Sequence, residues 1–209
     1  MRSITLEVSL SLAIIATAAL GADKVKPPNH TPAAQMSAQQ SQQQKAMEAM
    51  QRAATPGAPQ KMLDAMAGEW NATVSMWETP GGKPAVEHGT STNQWVLGNR
   101  YLAERFSGSF MGQPFSGIGY TGYDNVSKKY WSTWIDSMST GVMTQTGTTA
   151  DGKTWSFSGS MNDPVSGKPM TTESRVIVAD HDHHTMEMWM PGPNGKKFKS
   201  MEISYVRKK

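Results

Sequence analysis

From Gly68 onward, apolar and polar residues alternate in short runs. In the first run, Trp70, Ala72, Val74 and Met76 fall on one side and Asn71, Thr73, Ser75 and Trp77 on the other, the period of a strand whose two faces meet different surroundings. Similar runs at 69–79, 85–97, 100–107, 115–123, 130–137, 142–150, 153–162, 169–179, 185–191 and 198–207 are separated by turn-forming residues such as Pro80-Gly81-Gly82, Gly98-Asn99, Asp124-Asn125 and Asp151-Gly152. Connections this short allow only antiparallel pairing. Twist and open edges both disfavour a flat sheet of that size, so the pattern predicts an all-β fold, a closed antiparallel barrel of about eight to ten strands.

Ahead of the first strand the period changes. Met62, Leu63 and Met66 share a helical face between Pro59 and Gly68, which predicts a short helix leading into the barrel. Residues 23–60 are rich in Gln, Pro and Ala and hold no aromatic residue, the composition of a disordered linker. Within it Ala46, Ala49, Met50 and Ala53 stand at helical spacing, so a helix over about 37–53 is expected. Further upstream, the apolar run from Leu10 to Ala22 follows Arg2 and ends in small residues. It is too short for a bilayer span, which takes about 20 residues, and has the build of a cleaved secretory signal. The expected organisation is a signal peptide at 1–22, a linker at 23–60 and a barrel at 61–209. That makes the mature protein periplasmic or secreted, with no stable membrane span after cleavage.

Composition sharpens this picture in two respects. The chain has no cysteine, so a domain exported to an oxidising space is held by its core alone, without disulfides. The formal charge of +3 is misleading, because from residue 61 onward 15 Lys and Arg face 14 Asp and Glu, and Arg207, Lys208 and Lys209 crowd the end. No basic stripe is left to neutralise phosphates, which argues against nucleic acid as a partner.

Gly68-Glu69-Trp70 resembles the Gly-x-Trp signature that opens lipocalins and related calycin barrels, in which an Arg from the final strand packs over the Trp; Arg207 is placed to do so here. A broader resemblance, from Met62 to Arg207, is to the uncharacterised bacterial family called domain of unknown function 1579. It is carried by Leu63 to Trp70, Leu97 to Leu102, Gly119 to Asp124, Trp134 to Thr140 and Met201 to Arg207. The resemblance implies a lipocalin-like barrel and no established activity.

Catalytic templates are missing: there is no nucleophile elbow, phosphate loop, dinucleotide fingerprint or H-E-x-x-H. No cofactor is implied, and a binding protein is favoured over an enzyme. Polar groups on otherwise core-facing strands, namely Arg100, Glu104, Trp134, Asp136, Glu173 and Arg175, are ion pairs, solvated groups or anchors for a ligand's polar end. The leading expectation is that the barrel binds a small, largely apolar molecule through Tyr101, Glu104, Trp134, Asp136, Trp155 and Met188. The alternative is copper or zinc binding through His181, His183, Met186, Met188 and Met190, since imidazole and thioether are suitable ligands for an exported metal carrier. A solvated turn at His181 to His184, with the methionines lining a core or cavity, accounts for the same residues.

Overall fold

The structure, a computed structural model, describes residues 33–164, 166–192 and 195–209. The signal predicted at 1–22 and the linker up to residue 32 lie outside the described residues. The chain divides into two units, Met1–Gln43 and Gln44–Lys209. Helix α1 (Ala33–Ala54) runs across that boundary. It starts about a turn earlier than the sequence pattern suggests, because its Ala, Gln, Met, Glu and Lys are all good helix formers and no Gly or Pro interrupts them. Its residues are exposed from Gln35 to its end. Among the described residues no helix is long and apolar enough to cross a membrane.

Ten strands build the second unit: β1 (Gly68–Met76), β2 (Ala85–Val96), β3 (Tyr101–Phe110), β4 (Gln113–Asp124), β5 (Lys129–Asp136), β6 (Met143–Thr149), β7 (Thr154–Asn162), β8 (Pro169–Val178), β9 (His183–Pro191) and β10 (Lys197–Arg207). Each pairs antiparallel with its neighbour in sequence, and β1 pairs with β10 to close the barrel. The predicted fold class is therefore the observed one, with one strand to each predicted run.

A plug seals the end where β1 begins. Helix α2 (Ala58–Lys61) and a 3-10 turn (Met62–Met66) bring Leu63 and Met66 under the barrel, where they pack with Leu102, Tyr130, Trp155 and Phe157. Buried Gln60 fixes the segment by donating from Nε2 to the Tyr123 carbonyl (3.1 Å) and to Asn125 Oδ1 (3.2 Å). The Tyr130 hydroxyl donates to the Pro59 carbonyl at 2.9 Å. Above the plug, Trp70 is fully buried, its Nε1 donating to the Met66 carbonyl at 3.0 Å. Arg207 lies 4.1 Å from the centre of the Trp70 ring and donates to the carbonyls of Ala65, Ala67 and His181. The Arg-over-Trp arrangement expected from the Gly-x-Trp signature is present.

Trp70→Ala should cost about 3–5 kcal/mol of stability, the usual loss for emptying a large aromatic site. Chemical denaturation measures it, and a loss under about 1 kcal/mol would show that the base does not depend on this ring.

Candidate functional site

Strand pairing decides which residues face the lumen. Trp70 stands opposite Ser91 and Arg207, Ser91 opposite Phe106, and Asn93 opposite Glu104, so these share the inner face with every second residue along each strand. Around the plug Trp70, Leu102, Tyr130, Trp155, Phe157 and His184 are buried, and Trp95, Tyr123, Val176 and Val178 pack against them half-buried. Toward the other end the inward side chains change in burial: Met76, Trp134, Met143, Met161, Met170, Met186, Met188, Met190 and Met201 all face inward yet are only half-buried. Buried Val74, Phe106, Gln145, Thr172 and Ile203 share that face with them, so the upper half of the barrel is a partly filled cup.

Glycines keep the wall of that cup flat. A Cβ on Gly117 would stand 2.2 Å from Trp134 Cζ2, so the indole lies directly on the backbone of the neighbouring strand. Phe106 lies likewise on Gly89, where a Cβ would come within 2.5 Å of Cζ. Phe106 belongs to a buried cluster with Trp70, Ala72, Val74, Ile203 and Tyr205, and Met76, Phe115, Trp134, Met186 and Met201 pack against it.

At the junction of plug and cup sits a polar chain. Asn93 Nδ2 donates to the Met66 carbonyl at 2.9 Å, and Ser91 Oγ lies 2.8 Å from both Asn93 Oδ1 and Glu104 Oε1. The Tyr205 hydroxyl is 3.3 Å from the same Glu104 oxygen. The His184 ring stacks on Tyr205 at 4.3 Å and meets the Trp70 ring edge-on at 4.3 Å. Burial raises the Glu104 carboxyl above its ordinary range, and hydrogen bonds from Ser91 and Tyr205 only partly oppose it. Burial, with the Glu104 charge added, raises the Tyr205 hydroxyl well above its usual value. Burial, reinforced by the Arg207 charge, lowers His184 to about 3, and its Nδ1 has no hydrogen-bond partner.

Ser91 has one hydroxyl proton for the two acceptors beside it, Asn93 Oδ1 and Glu104 Oε1, while the Asn93 amide nitrogen is committed to the Met66 carbonyl.

The profile of the family DUF1579, described as a protein of unknown function, matches residues 55–207. The chain belongs to this family. No curated protein matches it. Among solved structures, this DUF1579 protein is similar to Rv2717c from M. tuberculosis, with 14% identity and a TM-score of 0.55, over 74% of this chain and 100% of that one. A redesigned β barrel aligns at 12% identity and a TM-score of 0.38, over 71% of this chain and 96% of that one. The first likeness speaks for the barrel fold alone.

Of the residues singled out from sequence, the DUF1579 barrel brings Glu104, Trp134, Asp136, Trp155 and Met188 onto its inner face. They occupy different levels. Trp155 is fully buried in the base, its N–H nearing the Tyr130 hydroxyl without meeting hydrogen-bond geometry. Asp136 sits at the rim, accepting from Trp134 Nε1 at 3.0 Å and from the Met138 amide at 2.9 Å. Tyr101 does not belong with them: it is an odd number of residues from Glu104, and its ring packs on Trp131 over Gly122 on the outer face. Glu173 and Arg175 also point outward, Glu173 pairing with Lys197, and Arg100 folds back onto the Leu97 carbonyl at 2.9 Å.

The metal-ligand set is divided. His181 and His183 lie in the exposed turn beside the base, held by Asp182 and Asp180, while Met186, Met188 and Met190 line the lumen. Among the described residues no three His, Cys, Asp or Glu side chains converge as metal ligands. Sequence reasoning missed Ser91, Tyr205 and His184. Counting back by twos from Met190 through Met188 and Met186 reaches His184, a signal masked by the His-Asp-His-His run. Two depressions, of about 470 Å³ beside Ser156, Glu173 and Trp189 and about 310 Å³ beside Ile118 and Ile135, lie on the outer face and rim and hold none of the polar chain.

His184 and Glu104 give pH effects of opposite sign. A histidine whose folded pKa is depressed contributes stability above its unfolded pKa that is lost on acidification, so stability should fall by roughly 3–5 kcal/mol from about pH 6.5 to about pH 3. His184→Phe, which keeps the stacking, should remove that part of the acid limb. The raised carboxyl works the other way, with stability declining as pH climbs above the ordinary Glu range, and Glu104→Gln should abolish the decline. Denaturant midpoints across pH check both, and superimposable profiles for wild type and His184→Phe would contradict the burial of His184.

Proposed function

We propose that the barrel binds a small, largely apolar molecule with one polar end, the apolar part among the lumen methionines and Trp134 and the polar end at Glu104. The observation that supports this most directly is the half-burial of inward methionines above a sealed base, with a lone carboxyl at the floor. Thioethers are flexible and polarisable, suited to an apolar guest of irregular shape. A few polar groups in a mainly apolar concavity are the usual make-up of a small-molecule site. The apolar run at Leu10 to Ala22 supports a place of action outside the cytoplasm.

Native mass spectrometry of the protein taken from its own host should find a non-covalent adduct of constant mass. Met188→Arg, which puts a charged side chain in the lumen at mid-height, should lose the adduct while far-ultraviolet circular dichroism keeps its β signature. An adduct unaffected by that substitution would place the ligand elsewhere. N-terminal sequencing of the mature protein from fractionated cells should begin near Asp23, and an intact Met1 would refute export by cleavage.

A further inference from the structure

We propose that the polar end of the ligand is an amine or another nitrogen cation, and not a carboxylate. This rests on the lumen-binding reading above and adds its chemistry. The charge inventory of the inner face points one way. Above Trp70, the described acidic side chains at inward positions are Glu104 at the floor and Glu87 and Asp136 toward the rim, and no described lysine or arginine shares that face. Arg207, the single guanidinium at inward parity, lies beneath the Trp70 ring and is spent on backbone carbonyls. Lys197 and Lys199 stand on the outer face, where Glu173 pairs with the first and Glu187 and Glu202 with the second. A fatty-acid-like anion would enter a cup with no cation to receive it.

Glu104 itself is half engaged. Both protein hydroxyls converge on Oε1. Oε2 makes no hydrogen bond among the described residues and is not among the atoms sealed from solvent. The free oxygen is an acceptor, and a group with N–H donors complements it; an ammonium gives a charge-assisted bond about twice as strong as a neutral one. In register, Gly119 separates Glu104 from the Trp134 ring across the inner face, and Met188 and Met201 face each other on β9 and β10. These are surroundings that accommodate an alkyl or aryl chain and tolerate a cation close to a ring.

Isothermal titration calorimetry at neutral pH with octylamine, octan-1-ol and octanoate compares three head groups on one chain. The amine should bind at least about tenfold more tightly than octanoate, and Glu104→Gln should erase the difference. Octanoate binding as tightly as the amine would overturn the inference and leave the lumen reading standing. An amine preference that survives Glu104→Gln would overturn it too, by moving the recognition to the rim carboxylates. Failure of all three to bind would overturn the lumen reading, and the inference with it. Should Glu104→Gln fail to fold, Ser91→Ala together with the wild-type ranking decides the same question: weaker discrimination in Ser91→Ala supports the floor carboxyl, and unchanged discrimination counts against it.

Discussion

Everything in this molecule hangs on the seat of Trp70. The ring lies at the start of the first strand, covered by a guanidinium from the end of the last strand and edged by an imidazole from the ninth. One residue therefore touches the seam at which the barrel closes. Its N–H shares the Met66 carbonyl with Asn93, which ties the 3-10 turn to β1 and β2 together. A buried N–H or carbonyl left without a partner is costly, so displacing the turn would expose the base and break the polar chain at once. With no cysteine available, this cluster of aromatic, guanidinium and carbonyl contacts does the cross-linking that a disulfide does elsewhere.

The division of the barrel into plug and cup follows from where residue volume is spent. Leu63, Met66, Tyr130, Trp155 and Phe157 fill the lower part. Higher up, the large rings are paired with glycines across the strand boundary, Trp134 with Gly117 and Phe106 with Gly89. A side chain at either glycine would push its ring toward the axis. Glycine thus sets where each ring lies on the inner face, and Met76, Met186 and Met201 pack against the cluster that contains Phe106.

The polar chain from Met66 to Glu104 is, with the buried Gln145, Thr172 and Ser174 cluster, a part of the interior that packing alone does not call for. A carboxyl in such a place is costly when charged, and the protein sets two hydroxyls, those of Ser91 and Tyr205, against that cost. Replacing Glu104 by an apolar residue would relieve the cost. The retention of Glu104, with one oxygen engaged by two hydroxyls, is what the proposed lumen ligand would account for.

The strand runs and their antiparallel order were legible in the sequence, because period-two alternation and short turns leave few topologies open, whereas the Trp70–Arg207 contact was expected only from the resemblance to Gly-x-Trp barrels. Glu104, Trp134 and Met188 were legible as chemistry that was out of place on core strands. Tyr101 was misjudged because a one-residue change of parity exchanges inside for outside, and β3 has an apolar or aromatic residue at both Tyr101 and Leu102. In Gly89 to Asn93 small polar residues occupy both faces, so nothing local marked Ser91 as inward. The sequence by itself determined the period, the runs that become strands and the residues able to plug a base. Closure of the sheet decided the rest: it set the register that put Ser91, Glu104, Tyr205 and His184 side by side from four different strands, a proximity that only long-range pairing of β1 with β10 creates.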